Sequence, residues 1–184
     1  MRGYFGIGVE GLSKPMNAGN LFRSAHAFGA SFLFTVTALA EIGETVASDT
    51  SKAPDQLPCY EFGSVDDLRL PEGCSLVGVE LLDEATALPS FRHPRRAAYV
   101  LGQERGALSP RMMECLDHVI RIPTRFSLNL AAAGAIVMYD RMISLQRFGA
   151  RPVAPGGPVE ALPEHVFGKP VWRKKQARRN AAGE

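Results

Sequence analysis

Cysteine is scarce in this chain of 184 residues: there are three, Cys59, Cys74 and Cys115, far apart and without a CxxC pair. That excludes a disulfide framework and a zinc site built on paired thiols, and it points to free thiols in a reducing, cytoplasmic setting. Long hydrophobic runs are missing as well. No stretch approaches the ~20 apolar residues of a membrane span. The opening MRGYFGIGVEG has no long apolar core and no small-residue cleavage site, so no signal peptide is expected. The hydrophobic fraction of 46% is enough for a single domain to bury a core without disulfides or a structural metal.

Charge is not evenly spread. Residues 151–184 carry seven Lys/Arg against three Asp/Glu, whereas the first 150 residues carry 14 against 16. The excess sits in Arg173, Lys174, Lys175, Arg178 and Arg179, behind Trp172. Such a run suits an RNA phosphate backbone, although a solvated tail would carry the same composition.

Apolar runs suited to strands alternate with helical stretches. Strands are expected over 4–9, 31–37, 75–81, 97–101 and 118–122. Helices are expected over 17–28, closed by Gly29, and over 128–148. Ser64 would cap a short helix over 65–68, Ser109-Pro110 would open another, and 47–58 reads as a loop. Alternation of this kind implies an α/β fold with a mostly parallel sheet. The Pro- and Gly-rich segment after residue 150 divides a domain over 1–150 from an extension over 151–184.

Four segments invite a functional reading. Gly6-Ile-Gly8-Val-Glu-Gly11 has the GxGxxG spacing of a dinucleotide site. Its glycines lie inside the first strand, however, and Ser13-Lys-Pro15 follows in place of a helix, so a nucleotide loop is rejected. In the second segment Asn17 can cap the 17–28 helix, with Arg23 almost two turns on and Leu21, Ala25 and Phe28 facing the core. The third, Leu101-Gly102-Gln-Glu104-Arg-Gly106, ends a strand in glycine, where a ligand can approach the backbone closely. The fourth places Ser127 and Asn129 at the entrance of the last helix, followed by the small run Ala131 to Gly134. Helix N-termini favour polar and anionic ligands, but simple capping would also account for this pair.

Taken in order, Asn17-x5-Arg23, Leu101-Gly-x-Glu104-x-Gly106 and Ile122-Pro-x3-Ser127-Leu-Asn129 resemble the three motifs of the SpoU/TrmH branch of the SPOUT methyltransferases, over roughly residues 4–148. The resemblance implies a single SPOUT domain with a C-terminal trefoil knot, an obligate homodimer, and S-adenosylmethionine as cofactor with no metal. The reaction it implies is 2′-O-methylation of a ribose in tRNA or rRNA. Val79, Leu101, Gly102, Ile122, Ser127 and Leu128 would hold the cofactor. Asn17, Arg23, Glu104, Ser127 and Asn129 would form the catalytic pocket. The resemblance implies a general-base role for Arg23; because a guanidinium carries only donors, clamping a phosphate stands beside it as an alternative. Two features depart from the family pattern. The 123–126 loop is short and puts Phe126 where an Arg often precedes the Ser, and Ala131 replaces a small polar residue. A SPOUT base methyltransferase and a non-catalytic RNA-binding dimer remain the competing readings.

Overall fold

The computed structural model describes residues 3–12, 15–38, 56–102 and 106–145. Its elements, in chain order, are β1 (Tyr4–Glu10), α1 (Pro15–Phe28), β2 (Phe32–Val36), β3 (Cys59–Phe62), β4 (Ser75–Val79), β5 (Thr86–Ala87), β6 (Arg96–Leu101), α2 (Pro110–Cys115), β7 (His118–Arg121) and α3 (Leu130–Leu145). Short 3-10 turns cover Val65–Asp67 and Leu88–Ser90. The strands form one sheet in the order β3-β2-β1-β6-β4-β7-β5. Every pairing is parallel. The winding direction reverses between β1 and β6, and in open α/β sheets ligands bind beyond the strand C-termini at such a switch point.

A parallel sheet must be covered on both faces, so its central strands read as continuous apolar runs. One face buries Ile7, Val9, Leu33, Val77, Tyr99 and Leu101 under α1 and α3. The other buries Phe34, Val36, Leu76, Ala98 and Val100 with Met112 of α2. The paired glycines of β1 belong to this second face. A Cβ on Gly6 would lie 2.2 Å from the Phe32 ring, and one on Gly8 would lie 2.4 Å from the Phe34 carbonyl oxygen. The GxG spacing therefore makes room for two β2 phenylalanines and has no part in phosphate binding.

α1 starts at Pro15, a residue suited to the first helical position. Asn17 thus lies inside the first turn, which corrects the expectation that it caps the helix. The C-terminus closes as a Schellman turn. Gly29 has φ +78°, its N–H donates to the His26 carbonyl, and the Ala30 N–H donates to the Ala25 carbonyl. Ser109 caps α2 as expected, accepting the Met112 N–H at 3.1 Å with Pro110 next in line. Ser64 does not cap: its hydroxyl donates to the Asp67 carboxylate at 2.6 Å. α3 begins at Leu130, two residues later than expected, because the Asn129 side chain accepts the Ala131 N–H at 2.9 Å and so ends the loop there. The 47–58 loop lies largely outside the described residues.

α3 packs closely on α1. A Cβ on Gly134 would lie 2.1 Å from Leu21 Cδ1, so the small residue is used for a contact within the chain. At the far end of α3, Arg141 is buried and joins the N-terminal ends of two strands. It donates to the carbonyls of Pro94 (2.6 Å), Arg95 (2.9 Å) and Tyr4 (3.1 Å) and to the Tyr99 hydroxyl (3.2 Å). Its guanidinium also lies over the Phe5 ring, 5.3 Å from the centroid.

Beside it, His93 contacts Tyr99 Oη through Nδ1 (2.6 Å) and Asp140 Oδ2 through Nε2 (2.9 Å). A carboxylate can only accept, so the imidazole proton sits on Nε2, and Nδ1 accepts the Tyr99 O–H. Burial holds both ends of this arrangement in their neutral forms. It lowers the His93 pKa against the opposing pull of Asp140, and it pushes the Tyr99 phenol up to about 12. The unfolded chain takes up a proton on His93 below the ordinary value of 6.5, whereas the folded protein resists. Stability from this group is therefore complete above pH 6.5 and declines as the pH falls from there through the lowered folded value. Urea unfolding across this range should show the decline, and His93→Gln should flatten it. An equally steep decline in the variant would assign the effect to other groups.

Candidate active site

A cavity of ≈ 350 Å³ opens beyond the C-terminal ends of β4, β6 and β7. Val79 and Glu80 contribute from the end of β4, Leu101 and Gly102 from β6, Ile122 and Thr124 from the loop after β7, and Leu130 and Ala133 from the first turns of α3. The size lies within the ≈ 300–1,000 Å³ of small-ligand pockets. The walls combine apolar side chains with the backbone of the strand ends.

All six residues that the sequence suggests for cofactor binding (Val79, Leu101, Gly102, Ile122, Ser127 and Leu128) line this one cavity. Residues as far apart as 79 and 128 meet because β6 and β7 flank β4 on either side. The suggested catalytic residues are distributed differently. Ser127 lines the cavity, while Asn17, Arg23 and Asn129 lie outside its lining among the described residues. Asn129 joins the α1 and α3 N-terminal regions, its Nδ2 donating to Asn17 Oδ1 at 3.4 Å. Arg23 is exposed on α1. Glu104 and the five basic residues of the 173–179 segment lie outside the described residues.

The loop leading into α3 is held by Thr124. Its N–H donates to the Ile122 carbonyl at 2.7 Å, and its hydroxyl donates to the Phe126 carbonyl at 2.9 Å. This tight turn carries Ser127 and Leu128 to the cavity and leaves Phe126 74% exposed.

On the opposite wall, Gly102 faces the chain's own backbone. A Cβ there would lie 3.1 Å from the Leu108 nitrogen and 3.2 Å from the Ala107 carbonyl carbon. The close approach expected of a ligand at this glycine is made in part by the 106–108 loop. Sequence reasoning missed Glu80, Leu81, Ala107, Thr124, Leu130 and Ala133 as cavity residues and named Gly106 only as part of a motif. For Glu80 a signal existed, since a lone carboxylate interrupts the apolar run just where β4 ends.

Residues 5–139 match the SpoU rRNA Methylase family. The chain is 28% identical over 138 residues to the mouse tRNA (guanosine(18)-2′-O)-methyltransferase TARBP1, a match covering 70% of this chain and 9% of that protein. Its fold is similar to that of the SpoU methyltransferase AviRb from Streptomyces viridochromogenes in complex with AdoMet. There the TM-score is 0.67 at 24% identity, over 77% of this chain and 61% of that one. It is also similar to the AdoMet-bound rRNA methyltransferase from Sinorhizobium meliloti, with a TM-score of 0.70 at 22% identity, over 80% and 59% of the two chains. The chain thus spans less than two thirds of each of these relatives.

Proposed function

Because the chain belongs to the SpoU rRNA methylase family, we propose that it is an RNA methyltransferase that moves a methyl group from S-adenosylmethionine to a ribose 2′-hydroxyl of tRNA or rRNA. The observation that carries this reading is the convergence of Val79, Leu101, Gly102, Ile122, Ser127 and Leu128 on one cavity at the strand C-termini. Mouse TARBP1 is named for the same 2′-O chemistry, and two similar structures hold AdoMet.

The residues present fit that cofactor. The apolar side chains of Val79, Leu101, Ile122 and Leu128 suit the faces of an adenine. Backbone N–H and C=O groups at the ends of β4 and β6 and in the 122–128 loop suit its ring edge and ribose. Bound there, S-adenosylmethionine supplies an electrophilic methyl on a sulfonium. The chain's own contribution is positioning, which can supply much of the rate of such a displacement. Asn129 and Asn17 hold the entrances of α3 and α1 together, and Arg23 presents a planar fork of donors to RNA from α1. A guanidinium has no acceptor, so orientation of the ribose and its phosphate is the role assigned to Arg23, with Glu104, Ser127, Asn17 and Asn129 completing the pocket.

Titration calorimetry tests this reading: the wild-type protein should bind S-adenosylmethionine, and Gly102→Val, whose side chain would collide with the 107–108 backbone, should not. Absence of heat in the wild type would favour the non-catalytic RNA-binding alternative.

The reading extends to architecture. The trefoil knot is proposed on family membership alone. A homodimer is supported by a stripe of exposed residues on α3, Ala132, Ile136 and Tyr139, recurring at helical spacing. The small Gly134 gives no such support, since Leu21 of the same chain occupies its space. Light scattering should report a dimer for the wild type and a monomer for the double variant Ile136→Asp, Tyr139→Glu. A monomeric wild type would refute the dimer.

The 1–150 region is read as the methyltransferase domain and 151–184 as a basic extension whose Arg173, Lys174, Lys175, Arg178 and Arg179 meet RNA phosphates. Among the described residues no helix is long and apolar enough to cross a membrane, and all three cysteines are free thiols. The thiols suit the reducing cytoplasm proposed as the site of action.

A further inference from the structure

The segment Gly106–Ser109, which follows β6, separates two cavities. Gly106 and Ala107 line the cavity assigned above to the cofactor. Ala107 and Ser109 line a second cavity of ≈ 370 Å³ beyond the ends of β1 and β2. A partition only four residues long has no regular hydrogen bonding of its own, so something else must hold it. Two carboxylates do so, one from each side. Glu80, at the end of β4, accepts the Leu108 N–H on Oε2 at 3.0 Å, while its Oε1 accepts the Leu81 N–H at 3.1 Å. Glu10, the last residue of β1 and itself buried, accepts the Ser109 N–H on Oε2 at 2.8 Å and the Ser109 hydroxyl on Oε1 at 2.5 Å. The same Leu108 nitrogen lies 3.1 Å from where a Cβ on Gly102 would be. The partition is therefore pressed against the backbone of β6 and gripped at consecutive amides.

We propose that Glu80 is a positioning residue for the cofactor, setting the cavity wall by anchoring Leu108, with Glu10 as the second jaw of the same clamp at Ser109. The proposal rests on the cofactor reading above and adds to it. Glu80 acts through the protein backbone, and the wall it fixes includes Gly106 and Ala107. Hydrogen bonds to a charged acceptor are stronger than neutral ones and depend on geometry. Losing one at a cavity wall should loosen the wall more than it destabilises the fold, because Glu80 is only half-buried and β4 keeps its pairings to β6 and β7.

The test uses the full chain and two readouts. Amide hydrogen exchange at Leu108, followed by NMR without cofactor, reports the clamp itself. Calorimetry with S-adenosylmethionine reports its consequence. In Glu80→Ala, Leu108 exchange should accelerate and the Kd should rise by about ten- to a hundredfold, the size carried by one hydrogen bond to a charged group. Glu80→Gln keeps an amide oxygen able to accept from Leu108 and should recover most of both. Unchanged Leu108 exchange in Glu80→Ala would overturn the clamp. Equal loss of affinity in the Ala and Gln variants, with Leu108 still protected, would also overturn it and make Glu80 a direct cofactor ligand. Wild-type protein that gives no heat with the cofactor, while Leu108 is deprotected in Glu80→Ala, would instead place the failure in the cofactor reading.

Discussion

Replacing Arg23 by alanine should lower methyl transfer by at least about a hundredfold, the scale of a misplaced reactant, while S-adenosylmethionine still binds. The two effects separate because Arg23 stands exposed on α1, outside the lining of the cavity assigned to the cofactor. The place proposed for it in the reaction is on the RNA side. Single-turnover rates and calorimetry on the same protein check the two halves. Arg23→Lys refines the result. It keeps the charge but loses the planar, forked donor set. Substantial activity in the lysine variant would make Arg23 a phosphate clamp, whereas activity as low as in the alanine variant would require the guanidinium geometry. Loss of cofactor affinity in Arg23→Ala would show that the residue belongs to the other half of the site.

The second large effect is on stability. Arg141→Ala removes the donor to three backbone carbonyls and the Tyr99 hydroxyl and leaves a space under Phe5 and Tyr99. Breaking a buried, hydrogen-bonded charge costs roughly 3–5 kcal/mol, which for a chain of this size lowers Tm on the order of 10 °C. Arg141→Lys should recover part of this, since an ammonium reaches fewer of the carbonyls. The contacts lie at the N-terminal ends of β1 and β6, away from the cavity at the C-terminal ends, so the cofactor Kd of the folded variant should be close to that of the wild type. A Tm within about 2 °C of the wild type would mean that water replaces the guanidinium without loss.

These two arginines mark what was legible in the sequence. The central strands were, because β1, β2, β4 and β6 are buried on both faces and therefore read as unbroken apolar runs. The edge strands β3 and β5 were not. β3 (Cys59–Phe62) exposes the adjacent Tyr60 and Glu61 and so shows no two-residue period, and β5 has two residues, too few for any period. Arg23 stood out through motif spacing. Arg141 did not, because a lone arginine in a helix usually faces solvent, and its carbonyl partners lie about 46 and 137 residues away in sequence.

The same holds within the site. Leu101 and Gly102 follow from an apolar strand that ends in glycine, Ile122, Ser127 and Leu128 follow from a motif, and Val79 follows from the family resemblance alone. Glu80 gains its meaning only when β6 is seen to lie between β1 and β4, which brings Leu108 to its carboxylate. Asn17 was placed at the correct helix but the wrong position, because Pro15 begins the helix two residues earlier. Asn129 proved to be both a cap and a neighbour of Asn17, so the capping and functional readings of the third motif are compatible.

The central claim is that this cavity serves methyl transfer to ribose. The most direct measurement incubates the purified full-length protein with unmodified tRNA and rRNA and methyl-labelled S-adenosylmethionine, digests the RNA to nucleosides, and identifies the labelled product by mass spectrometry. The account predicts label in a 2′-O-methylnucleoside, with the mass gain on the sugar fragment, and its loss in Gly102→Val and Arg23→Ala. Label confined to the base fragment, or no label in either RNA from protein that binds the cofactor, would contradict it.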